Sequence, residues 1–266
     1  MLTQEEIAQA VADLDAAERK RLQIGLLSLR HPTMTMEDAY AVQKAWVARK
    51  LEAGRTVIGW KIGLTSKAMQ SALNIDIPDS GVLFDDMLFE DGATVPSGRF
   101  IQPRIEAEIA FVMKSSLQGK VGIEEVLAAT DHVVPALEIL DTRVLRVDPQ
   151  TKKARTIVDT IADNAANAGV VLGRQKLDPR GVDLRRMGAI VSRNGEVEET
   201  GLGAGVLDHP ARGIVWLAER LAQYGGALKP GEIVLSGSFI RPIEARPGDT
   251  IAADFGSYGS VGCSFA

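Results

Sequence analysis

At Gly54 the sequence changes its period, and that change limits the folds open to the chain. Upstream, apolar residues recur at helical spacing. Ile7, Ala10, Val11 and Leu14 follow Thr3 and Glu6, which stand at capping-box distance. Thr35 and Asp38 form a second, looser cap, opening a helix through Tyr40, Val42, Trp46 and Leu51 that stops at Gly54. His31-Pro32 is the break between the two. Downstream, glycine and β-branched residues become frequent, and the spacing predicts strands over Thr56–Gly63, Ile105–Met113, His132–Leu140, Ala168–Leu172, Met187–Glu199, Glu232–Gly237 and Thr250–Phe265. Asn194-Gly195 signals a hairpin and Gly256–Gly259 a second, while Pro230-Gly231 and Pro247-Gly248 each place a turn before a strand. One later helix is expected, capped at Asp208-His209-Pro210, buried through Ile214, Leu217, Ala218 and Leu221, and ended by Gly225-Gly226. The expectation is an α+β chain: a helical N-terminal segment over residues 1–54 and a mostly β body over residues 55–266, in one compact unit.

Composition excludes several classes. Net charge is −5 and 24% of residues are charged, so no sequence-wide attraction to nucleic acid or anionic lipid is expected. No apolar run approaches the ~18 residues of a membrane span. The acidic start, Met1 to Glu6, is unlike a secretory signal, and a cytoplasmic protein is expected. Cys263 is the single cysteine, alternating with Val261 and Phe265 as a core residue would. With only His31, His132 and His209 beside it, a metal must be held mainly by oxygen, which favours magnesium, manganese or calcium.

The residues that could carry chemistry sit in apolar settings. In a strand Pro103–Val112, Glu106 and Glu108 share a face with Ala110 and Val112, and two carboxylates about 7 Å apart suit a hard divalent cation. The alternative is a half-exposed strand with two solvated glutamates. Glu138 stands alone within Val133–Leu140, where burial demands a counter-charge. Asp141 and Arg143 follow it, so an ion pair is the structural alternative. Three clustered carboxylates would repel one another, and a metal resolves that conflict. Lys61 has Gly59 and Gly63 on its own face, which leaves room for a ligand or another backbone; a surface lysine on an edge strand is the alternative. Pro78-Asp79-Ser80-Gly81 reads as a β-turn, and Asp159–Gly169 as either a helix cap or a substrate loop.

Gly59–Ser66, Pro103–Glu108, Pro135–Glu138, Asp159–Gly169 and Gly237–Pro242 together resemble the fumarylacetoacetate hydrolase superfamily. The resemblance covers nearly the whole chain in order, and within the superfamily it is to the hydratases and decarboxylases of aromatic meta-cleavage catabolism, nearest those hydrating a seven-carbon 2-oxohept-3-enedioate. It implies a mixed β-roll, a homo-oligomer, a small 2-oxo acid substrate and a possible partner decarboxylase. It implies Mg²⁺ or Mn²⁺ on Glu106, Glu108 and Glu138, with Lys61 and Asp79 as the acid–base pair. Leu64, Arg104, Asp163, Asn164, Ser238 and Arg241 would contact substrate, Arg241 meeting a second carboxylate, with Arg104 or Arg155 able to serve instead. Three other readings stay open: a 4-oxalocrotonate-type decarboxylase, an acylpyruvate C–C hydrolase, and a non-enzymatic carboxylate-rich calcium or scaffold protein. The absence of a His–Glu pair counts against the hydrolase, since His31 lies in a proline-broken turn.

Overall fold

Both N-terminal capping boxes close in the computed structural model, which describes residues 1–67, 70–71 and 77–266. Thr3 and Glu6 open α1 (Gln4–Lys20), and Thr35 and Asp38 open α3 (Met36–Glu52). Between them lies a single turn, α2 (Leu27–Arg30), which the sequence reading did not anticipate. Asp38 also accepts a hydrogen bond from the Leu2 amide at 2.7 Å, so one cap ties the two long helices together. Their apolar stripes (Ala10, Val11 and Leu14; Ala39, Val42 and Trp46) bury against one another and against Val144, Val158, Ile161 and Ala162. The last three belong to α5 (Ile157–Ala162), so the helical cluster draws part of its core from the β body. Asp159 clamps that contact, accepting from Thr156 N at 2.8 Å and from Ser28 N and Oγ at 2.9 and 2.6 Å.

The body holds β1 (Val57–Gly63), β2 (Asp79–Phe84), β3 (Leu88–Glu90), β4 (Thr94–Val95), β5 (Arg104–Met113), α4 (Ile123–Ala129), β6 (Thr130–Leu140) and β7 (Asn167–Leu172). After these come β8 (Gly188–Arg193), β9 (Glu196–Leu202), α6 (Ala211–Ala222), β10 (Ile233–Leu235), β11 (Ile243–Glu244), β12 (Thr250–Asp254) and β13 (Ser260–Phe265). An eight-stranded mixed sheet runs β2-β1-β10-β5-β6-β7-β3, with β11 also on β5; a five-stranded sheet runs β4-β13-β12-β8-β9. Asn194 and Gly195 both take positive φ (56° and 85°) in the β8–β9 turn, the backbone a two-residue hairpin requires. Asp208 does not cap α6; it pairs with Arg185 at 2.6 Å, and His209 Nδ1 accepts the Ala211 amide instead.

Alternation along the strands gives the large sheet two different faces. Ile105, Ala107, Ile109, Phe111, Leu137 and Ile139 point into the main core, where they meet Val191, Ile251 and Val261 of the second sheet and Ile214 and Leu217 of α6. Cys263 is buried there too, and burial pushes its thiol up to about 12. The opposite face carries Ala110, Val134, Ala136, Val170 and Leu235. It continues into the carboxylates.

Candidate active site

Strand register decides which side chains meet. Glu106 on β5 lies directly opposite Glu138 on β6, and Glu108 opposite Ala136. Directly paired residues point the same way, so the three glutamates share a face. On β1, Lys61 pairs with Leu235 of β10, which pairs with Ala110 of β5, two residues from Glu108. Lys61 therefore shares that face as well. Gly63 pairs with Asp79 on β2 and adds the fifth group. Four strands thus bring Lys61, Asp79, Glu106, Glu108 and Glu138 to one side of one sheet.

One oxygen of each glutamate lies within 4.8 Å of those of the other two. Glu108 and Glu138 are buried and Glu106 is half-buried, so the picture of two solvated glutamates does not hold. Glu108 Oε2 accepts the Gly237 amide at 2.7 Å. Glu108 Oε1 and both Glu138 oxygens are buried without a hydrogen-bond partner. Burial first, then Glu138, pushes the Glu106 carboxyl up to about 8; Glu108 and Glu138 are raised too, by burial above all. Like charges placed directly opposite, with orphaned oxygens turned toward one another, are costly unless a cation joins them. The donor set, three hard carboxylates and no nitrogen or sulfur, fits Mg²⁺, Mn²⁺ or Ca²⁺.

Lys61 is buried in an interior strand, not exposed on an edge. Its Nζ lies 3.3 Å from Glu138 Oε1 and donates to the Ala165 carbonyl at 3.2 Å. Burial alone would discharge the ammonium, but Glu138 foremost, then Asp79, Glu106 and Glu108, hold it above the ordinary lysine range. Asp79 opens β2 in full burial, where the sequence suggested a turn; pairing with β1 makes Pro78–Gly81 a strand start. Burial raises the Asp79 carboxyl against the pull of Lys61 and Arg155, and its Oδ1 has no hydrogen-bond partner. At Gly63 the room that a missing side chain leaves is taken by the acid–base groups themselves: a Cβ would stand 2.2 Å from Asp79 Oδ1 and 3.2 Å from Lys61 Nζ. At Gly59 it is filled by the backbone of β10, 1.9 Å from where a Cβ would fall.

A 2-oxo-hept-4-ene-1,7-dioate hydratase of Escherichia coli is 53% identical to this chain over 95% of each. The chain belongs to the hydratase and decarboxylase branch of the fumarylacetoacetate hydrolase superfamily. A 2-keto-4-pentenoate hydratase of Paraburkholderia xenovorans is 40% identical over 99% of this chain and 96% of its own. The crystal structure of 4-oxalocrotonate decarboxylase from Pseudomonas putida G7, complexed with magnesium and adipate, matches at TM-score 0.94 and 33% identity, covering 100% of this chain and 99% of that one. Further solved structures at 12–14% identity align with TM-scores of 0.55–0.59 and share the fold alone. No family model matches the sequence.

Of the other residues that the sequence offered as substrate contacts, most make hydrogen bonds or ion pairs within the protein. Asp163 is fully buried against Arg143, with Arg143 Nε 2.5 Å from its Oδ1 and the Arg143 amide 2.9 Å from its Oδ2. Arg143 is therefore the partner of Asp163 and not of Glu138. Asn164 spends its side chain on the backbone of Val82, accepting from N at 2.8 Å and donating to O at 2.9 Å. Ser238 closes a turn within its own loop, with Oγ donating to Ile240 O at 2.8 Å. The Arg241 side chain is 80% exposed and pairs with Glu199 at 2.5 Å. Leu64 ends β1 in a left-handed conformation (φ 56°) and is half-buried. Arg104 alone keeps a direct claim: it is half-buried on β5, two residues from Glu106 on the same face.

Two contributions to this face left no signal in the residue pattern. One is the Gly237 amide on Glu108. The other is the Ala165 carbonyl on Lys61, delivered by three successive left-handed residues, Asn164, Ala165 and Ala166 (φ 51°, 53° and 57°). Such a run of non-glycine residues is strained. It is held by the Asn164 clasp on β2 and by the buried Arg143–Asp163 pair, whose guanidinium also lies 5.2 Å from the Trp46 ring of α3. Arg143→Met will strand Asp163 as an unpaired buried charge and lower stability by about 3–5 kcal/mol. Denaturant unfolding measures the loss; a wild-type midpoint would mean the pair is dispensable.

Proposed function

We propose that this protein is a hydratase of 2-oxo-enoates, a hydro-lyase that uses Mg²⁺ or Mn²⁺ and whose substrate is a seven-carbon 1,7-dioate. The observation that carries the reading is that Lys61 and Asp79 are both buried beside three clustered carboxylates, in a chain 53% identical to a 2-oxo-hept-4-ene-1,7-dioate hydratase. Glu106, Glu108 and Glu138 would hold the cation. When bound, it supplies a Lewis acid for the 2-oxo and carboxylate oxygens of the substrate.

The chain's own groups move the protons. That relative's name puts the double bond at C4, one carbon beyond the 3-ene that the sequence suggested. A 4-ene is not conjugated with the 2-oxo group. The site must first take a proton from C3 and deliver one to C5, so that the π bond shifts to C3=C4 with no change in charge. Water then bonds to C4 and a proton returns to C3, and either isomer ends as the same 4-hydroxy-2-oxo acid. Asp79, buried and with a free Oδ1, is placed to accept and return a proton, because a raised carboxyl is the better base and the usable acid. Lys61, held cationic and anchored on Ala165, orients the charge around it and donates.

The same proposal includes a cytoplasmic homo-oligomer and, on the resemblance alone, a partner decarboxylase. Self-association is supported by β9, an edge strand with Val197 and Leu202 exposed beside Ile190 of β8. Among the described residues no helix is long and apolar enough to cross a membrane.

The test is to mix protein and Mg²⁺ with 2-oxo-4-enoates and 2-oxo-3-enoates of one and two carboxylates, and to follow product mass. Gain of one water is the expected result. Loss of carbon dioxide without hydration would make it a decarboxylase, and no reaction with any member would overturn the reading.

A further inference from the structure

Next to the acidic face stands a group of arginines that outnumber the one acid beside them, Glu244. Residues 145–155 form a small hairpin in which Val147 bridges Ala154 and the Arg155 amide donates to Arg146 O at 2.9 Å. Arg146 and Arg155 are therefore cross-strand neighbours, and like charges so placed repel. Both are half-buried. Among the described residues neither has a carboxylate within 4.0 Å: Arg155 donates to Thr142 Oγ1 at 3.0 Å and Arg146 reaches only Gln102 O at 3.4 Å. Arg104 completes the group, with a loose contact to Glu244 at 3.6 Å. A cavity of about 280 Å³ opens between Pro103, Arg104, Arg146 and Arg246, with the single acid Glu244 on its wall, and Arg155 flanks it as the cross-strand neighbour of Arg146. The crowding registers on the groups themselves. Burial foremost, then Arg155 and Arg104, pulls Arg146 down to about 10.

The cluster belongs to the same centre. Arg104 precedes Glu106 by one two-residue step of β5, about 7 Å along the strand. That step is of the order of the length of a seven-carbon chain. Arg155 is tied to the centre through Thr142, whose Oγ1 accepts from Arg155 at 3.0 Å and donates to Asp163 at 3.2 Å, beside the Asn164–Ala166 run that carries the carbonyl on Lys61. Two opposed arrays thus lie end to end on the sheet: carboxylates that need a cation, and guanidiniums that need an anion. Arg241, the other candidate, is solvated on Glu199 and gives nothing to this cavity.

We infer that Arg104, Arg146 and Arg155 form a specificity site for the far carboxylate of a dicarboxylic 2-oxo acid whose 2-oxo end lies at Glu106, Glu108 and Glu138. Paired guanidiniums suit a planar carboxylate in two-point contact, and burying that carboxylate without them would be costly. The inference rests on the 2-oxo acid reading above but is tested separately from it.

The experiment measures binding and turnover on Mg²⁺-loaded wild type, Arg146→Met and Arg155→Met. Calorimetry with 2-oxoheptanedioate and 2-oxopentanoate, saturated acids that cannot be hydrated, gives the dioate-to-monoacid affinity ratio. Steady-state kinetics with the matching enoates gives the same ratio as kcat/KM. Each variant is expected to cut the ratio at least tenfold, mainly through the Kd and KM of the dioate. Equal losses on both acids, or no loss on either, would overturn it. So would a fall in the ratio for Arg241→Met with none for Arg155→Met. Should a methionine variant fail to fold, Arg155→Lys and Arg146→Gln carry the test, since charge without the fork in the first, and a polar donor without the charge in the second, must also weaken the dioate preferentially. If wild type hydrates nothing yet binds the dioate more tightly through these arginines, the hydratase reading falls and this site stands.

Discussion

Lys61→Ala lowers kcat by about 10²–10⁴ while the protein stays folded, the loss expected of a positioned general acid–base group. The ammonium is the only cation within 4.0 Å of the Glu138 carboxylate among the described residues, and it is fixed by one carbonyl, that of Ala165. Removing it takes away a proton donor and the charge that offsets Asp79. With a divalent cation loaded, Glu138 would still be neutralised, so the metal-loaded variant should unfold near the wild-type temperature. Both quantities are to be measured on one preparation, kcat by product formation and the midpoint by calorimetry. An unchanged kcat at an unchanged midpoint would leave Lys61 a structural counter-ion.

The second large effect comes from chelation. Stripping divalent ions with EDTA is expected to remove at least about 10³-fold of activity, since a Lewis acid contributes several kcal/mol and each 1.36 kcal/mol is tenfold. Mg²⁺ or Mn²⁺ should restore it. A readout independent of turnover accompanies this. A ligand at about a thousand times its Kd stabilises the folded state by about 4 kcal/mol. For a chain of this size that raises Tm by roughly 8–16 °C. Glu108→Gln, which removes one charge from the buried trio, should blunt both effects. Full activity in the metal-free protein, or a midpoint indifferent to Mg²⁺, would sink the metal centre.

What could be read from the residues was local. The caps at Thr3–Glu6 and Thr35–Asp38, the Asn194-Gly195 turn and the alternation that puts Glu106 beside Glu108 all depend on neighbours in the chain, and each formed. Glu138 could be flagged because a lone acid in an apolar run needs an explanation anywhere. What escaped was set by partners far off in sequence. Pro78–Gly81 has the composition of a turn and becomes a strand start only when β1 pairs with it. Asp163 and Asn164 have the chemistry of ligands, but Arg143 and the Val82 backbone claim them. The left-handed run over Asn164–Ala166 has two alanines where a local rule would ask for glycine, so no local rule could find it. Arg146 and Arg155 are nine residues apart and meet only because a hairpin folds between them.

The acidic face is written into sheet register, and this divides the molecule's capacity to change. A one-residue slip of β6 against β5 would turn Glu138 into the apolar core and bring Leu137 beside Glu106 and Glu108, so mutation cannot shift that group by degrees. The arginine hairpin answers to no such ladder beyond its own short pairing and one bridge at its base to Ile24. Substitutions there alter one contact at a time. Inheritance can then keep the reaction while the choice of acid drifts, and a laboratory that wants a different substrate should mutate residues 145–155 and leave the strands alone.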